Sequence, residues 1–100
     1  LIRAVALVLL SAACVWADGG AIFKQQCAKC HGDSGKSDTA VGKKMNIPPI
    51  AGDAAIAAMS DEDLTKKILA SEKHPKGVKN LPAADAGAVA TFVKQLAAAK

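Results

Sequence analysis

Cys27-Ala28-Lys29-Cys30-His31 constrains this chain more than any other stretch. Three residues apart on a helix, Cys27 and Cys30 share a face. Two thiols so placed can bond to two neighbouring vinyl groups of one porphyrin. The imidazole of His31 comes next and can rise beneath the iron as the proximal ligand. C-x-x-C-H is the attachment signature of a c-type haem. A bare C-x-x-C has other uses. A thioredoxin-like redox pair needs a strand before it and a helix starting at it. A zinc site needs a second Cys or His pair. Apart from this pair the chain has one cysteine, Cys14, and His74 is its one other histidine. One covalently attached haem c is therefore the expected cofactor.

The rest of the composition agrees with a cofactor-built core. A chain of 100 residues supports one domain, and this one has only three aromatic residues and no tyrosine. So small a domain with so little large apolar surface usually needs a staple such as a metal or a cofactor. A haem supplies a large rigid apolar body.

Residues Leu1 to Ala17 read as a secretory signal peptide, cleaved after Ala17, with the domain proper at 18–100. Arg3 precedes the apolar run Ala4–Leu10, and Val15-Trp16-Ala17 resembles a small-x-small cleavage site. The run is short for a membrane span, so no stable membrane insertion is expected after cleavage. Ser11-Ala12-Ala13-Cys14 faintly resembles a lipoprotein box, but an aliphatic residue is expected where Ser11 stands. Cleavage discards Cys14 and leaves both remaining cysteines in the haem motif. The formal charge falls from +4 to +3, since Arg3 is the one charged residue removed. That mildly basic balance lacks the dense Arg/Lys clusters of a nucleic-acid binder. The expected location is periplasmic or otherwise exported.

The mature part reads as all-α. Asp18 can cap a first helix running to about Cys30, with Gly19, Phe23 and Cys27 along one face. Gly32-Asp33-Ser34-Gly35 breaks it, and residues 36–53 read as a loop with one short turn. Ser60 caps a helix to about Glu72, with Asp61, Glu62 and Asp63 in the first turn and Leu64 and Ile68 on the buried edge. Pro75 and Gly77 enforce an irregular segment. A last helix starts near Pro82 or Ala83 and presents Val89, Phe92, Val93 and Leu96 at helical spacing.

The distal side of the iron has three possible protein ligands: His74, Met45 and Met59. An open or water-bound site is the fourth option. His74 lies in a proline-bounded loop that can present a ligand rigidly. Met59 precedes a helix cap, where an apolar residue staples the helix start. Met45 is expected to pack against the haem edge. Pro49, Ile50, Leu64 and Ile68 are the other side chains expected around the haem. The carbonyls near Asn46–Pro49 are the expected acceptors for the second nitrogen of His31.

Taken together, the mature chain resembles a small bacterial class I cytochrome c, similar to cytochromes c6 and c553. The resemblance rests on Gly19 and Phe23 ahead of Cys27-Ala28-Lys29-Cys30-His31, then Gly32 and Gly35, Ser60-Asp61-Glu62-Asp63-Leu64, and Ala90-Thr91-Phe92-Val93. It implies the class I cytochrome c fold, three to four helices around one haem, with Gly19 and Phe23 packed on Val89 and Phe92. In that family a methionine, usually followed by proline, is the distal ligand. Here the matching place reads Lys73-His74-Pro75. The resemblance therefore implies His74 as the sixth ligand and a bis-histidine iron.

The expected function is that of a one-electron carrier between exported redox proteins, at low potential because imidazole favours ferric iron more than a thioether does. Lys36, Lys43, Lys44, Lys76 and Lys79 could ring the docking face for a redox partner. The alternative is a haem-based sensor of diatomic ligands with a dissociable His74. No enzyme is expected, since both histidines are engaged and no distal acid-base group remains.

Overall fold

The computed structural model describes residues 18–99; the signal-peptide assignment, with Cys14 and Trp16, lies outside the described residues. Asp18 opens α1 (Gly19–Gln26) by accepting from the Ala21 N–H at 3.1 Å, the usual role of an aspartate N-cap. The helix is interrupted at Cys27, whose backbone (φ −119°, ψ −37°) leaves ideal helical geometry. It restarts as α2 (Ala28–His31), with the N–H groups of Cys30 and His31 both donating to the Cys27 carbonyl. Gly32, at φ +82°, ends α2. A side chain there would be strained, and its Cβ would lie 2.7 Å from Asp38 Oδ1.

Four more segments lead to the last helix. These are α3 (Ala40–Lys44), capped by Thr39, and α4 (Ala54–Ala58), capped by Asp53, then α5 (Asp61–Ala70), capped by Ser60, and α6 (Lys76–Lys79). The last is α7 (Ala83–Ala98). No strand occurs among the described residues. The fold of the described residues is all-helical, as expected.

Helix α7 is the spine on which α1, α4 and α5 pack. Its buried stripe is Ala86, Val89, Ala90, Val93 and Ala97. Gly19 lets α1 approach closely, since a Cβ there would fall 2.1 Å from the Ala88 carbonyl oxygen. One turn on, Phe23 is 1% exposed and its ring meets Phe92 at 5.3 Å between centroids. Tilted rings at this separation attract beyond their burial alone. Leu64 and Ile68 of α5 complete the core.

The helix count differs from the expected three to four because α3, α4 and α6 are only four or five residues long. A single turn buries too little to show a period. Helix α5 ends at Ala70 rather than Glu72, because Ser71 turns extended (φ −65°, ψ 122°) and sends the chain back across the helix end.

Candidate haem site

The interruption at Cys27 decides how the motif is displayed. Both cysteines are free and half-buried. Burial, with Cys30 adding to it, pushes the Cys27 thiol up to about 11, so it is a neutral thiol at ordinary pH. The motif is tied down from outside. The Thr39 hydroxyl donates to the Cys30 carbonyl at 2.8 Å, and the Ser37 N–H donates to the His31 carbonyl at 2.8 Å.

His31 and His74 stand together, their ring centroids 6.2 Å apart and their planes at 77°. Burial lowers the pKa of His31, and the nearby His74 lowers it further. His74 Nδ1 lies 2.7 Å from the Ile68 carbonyl oxygen. A carbonyl only accepts, so Nδ1 carries the proton and Nε2 keeps its lone pair. The contact also satisfies a carbonyl in the last turn of α5, one of those left over at any helix end.

A cavity of about 260 Å³ opens beside His31, walled by Pro48, Pro49, Ile50 and Met59, with Lys67 at its lining. Two of the side chains expected around the haem, Pro49 and Ile50, line it. Leu64 and Ile68 sit in the hydrophobic core, and Met45, 54% exposed, is not part of the cavity wall. Met59 lines the cavity and also packs against the core. The expected acceptor for His31 is not found: its Nδ1 is buried without a hydrogen-bond partner. The Pro48 carbonyl instead accepts from Ser37 Oγ at 3.2 Å. Nothing in the sequence marks Ser37 for this place; the turn that buries it forms only when the 46–50 loop folds over α2.

Two thiols, the His31 imidazole beside an apolar cavity and the His74 imidazole close to it form a donor set that fits haem c.

Residues 15–93 match the family model described as cytochrome C oxidase, cbb3-type, subunit III. The chain belongs to this family. A cytochrome c domain of this kind holds covalently bound haem c, serves as an electron carrier and works with redox partner proteins. Such domains are typically exported. No helix among the described residues of this cytochrome c domain is long and apolar enough to cross a membrane. A search of curated proteins finds no match to the chain.

Proposed function

We propose that this cytochrome c domain, residues 18–100 behind a cleaved signal peptide, is a bis-histidine monohaem carrier that moves single electrons between periplasmic redox proteins. In this reading it is similar to cytochromes c6 and c553 but holds histidine in the distal position. Cys27 and Cys30 form the thioethers, His31 is the proximal ligand and His74 the distal one. When bound, the haem supplies a one-electron couple at its iron.

The observation that carries the proposal is the spacing of the two imidazoles. Metal–imidazole bonds run to about 2 Å each, and a ring radius on either side brings the expected centroid separation to roughly 6 Å. The observed value is 6.2 Å. The Ile68 carbonyl supports the same assignment, because ligating histidines nearly always donate their other N–H to such a partner. That bond fixes the tautomer and raises the basicity of Nε2. Two imidazoles favour ferric iron, so the potential lies below that of a His/Met relative with similar burial.

The docking face follows from the exposed lysines. Lys43 and Lys44 end α3 beside exposed Met45, and Lys76 and Lys79 lie on α6 just past His74. Lys36 is exposed as well. A partner with an acidic rim suits them, and rate constants for electron exchange should fall as salt screens the pairing.

Mixing the reduced holoprotein with CO tests the closed coordination sphere. An unchanged Soret band supports the carrier. Rapid CO uptake contradicts it and favours a sensor with a dissociable His74.

A further inference from the structure

Ser37 is the one buried polar side chain in the described core, 7% exposed, and it holds a left-handed backbone at φ +54°. A non-glycine residue persists in that region only where its surroundings over-determine it. Two bonds do so here. Its N–H donates to the His31 carbonyl at 2.8 Å, and its hydroxyl donates to the Pro48 carbonyl at 3.2 Å. One serine thus ties the haem-motif histidine to the proline loop. His31 and Pro48 line the same cavity, and His31 Nδ1 is buried and unpartnered. Buried nitrogens of this kind almost always find an acceptor. Pro48 and Pro49 have no N–H to compete, and a carbonyl oxygen has two lone pairs.

We propose that Ser37 is a positioning residue: by donating to the Pro48 carbonyl it limits how strongly that oxygen can hold His31 Nδ1–H, and so sets the donor strength of the proximal histidine. The inference rests on His31 being the proximal ligand. An acceptor on the outer N–H of a ligating imidazole raises its basicity, and a stronger donor favours ferric iron. A hydroxyl already donating to the carbonyl draws on the same oxygen and weakens any bond it accepts from a second donor. Ser37 therefore keeps the potential higher than the proline loop alone would.

The test uses the holoprotein and two variants of Ser37. Ser37→Gly keeps the left-handed turn without strain and removes the hydroxyl; Ser37→Ala removes the hydroxyl with Cβ retained. Asn46→Gly is the control, since Asn46 holds the same backbone region at φ +55° and makes no bond to Pro48. The reduction potential and the proton resonance of His31 Nδ1–H in the ferrous protein are read together. Both Ser37 variants should shift to lower potential and move the resonance downfield, while Asn46→Gly matches the wild type. Wild-type His31 ligation with no shift in the Ser37 variants, or a shift equal to that of Asn46→Gly, overturns the role of Ser37 alone. A wild-type protein without His31 on the iron overturns this inference together with the proposed function.

Discussion

His31 ends the short helix that carries Cys30, His74 follows the end of α5, and their rings stand 6.2 Å apart. Neither helix alone would bring them together. Both are placed by backbone carbonyls at helix ends: the His31 carbonyl is held by Ser37, and the His74 ring is held on Ile68. The site is thus built from chain reversals supported by the α1–α7 and α5–α7 packing.

Replacing His74 separates its two roles. His74→Met should raise the reduction potential, because a thioether favours ferrous iron. His74→Ala should open the iron to CO and also lose the cap on Ile68, costing about 1 kcal/mol of stability. Redox titration, CO mixing and denaturant midpoints of the holoproteins check each effect.

Two glycines should respond in opposite directions to alanine. At Gly19 the new methyl would meet the Ala88 carbonyl at 2.1 Å. Backbone cannot rotate away as a side chain can, so Gly19→Ala should cost about 1–3 kcal/mol or more. At Gly87, inside α7, a Cβ meets nothing within 4 Å. Gly87→Ala should therefore stabilise by roughly 0.5–1 kcal/mol. Urea or guanidinium midpoints measure both.

Acid should weaken the tie between α5 and α7. Lys94 Nζ lies 2.9 Å from Asp61 Oδ1, and this bond holds the Asp61 carboxyl below its ordinary value. A depressed folded-state pKa contributes stability that is full above the unfolded value and lost as pH falls through the folded one. The pair is exposed and its effect is small. Unfolding midpoints of wild type and Lys94→Met should differ at neutral pH and converge below the usual carboxylate range. A constant difference across that range contradicts the assignment.

Much of this was legible in the residues, and for identifiable reasons. The haem motif is read by spacing alone. Ser60 ahead of three acids, and the Val89–Val93 stripe, mark α5 and α7 because long helices repeat their buried face. The packing of Gly19 and Phe23 on Val89 and Phe92 was implied by the resemblance; in the fold Gly19 meets the Ala88–Val89 backbone and Phe23 meets Phe92. Other features depend on tertiary closure. The break at Cys27 follows no helix-breaking residue. Thr39 and Asp53 cap short helices through the same side-chain bonds that mark long ones, but no periodic run follows to reveal them. Ile68 belongs to the buried edge of α5 by its side chain, and its carbonyl becomes the partner of His74 only because the chain doubles back at Ser71. Ser37 acquires its role in the same way.

Near-infrared magnetic circular dichroism of the ferric holoprotein tests the central claim most directly, because the charge-transfer band there reports the axial ligand pair. A bis-nitrogen band is predicted, lost in His74→Ala. A His/Met band in the wild type would remove His74 from the iron and point to Met59 or Met45, contradicting the account.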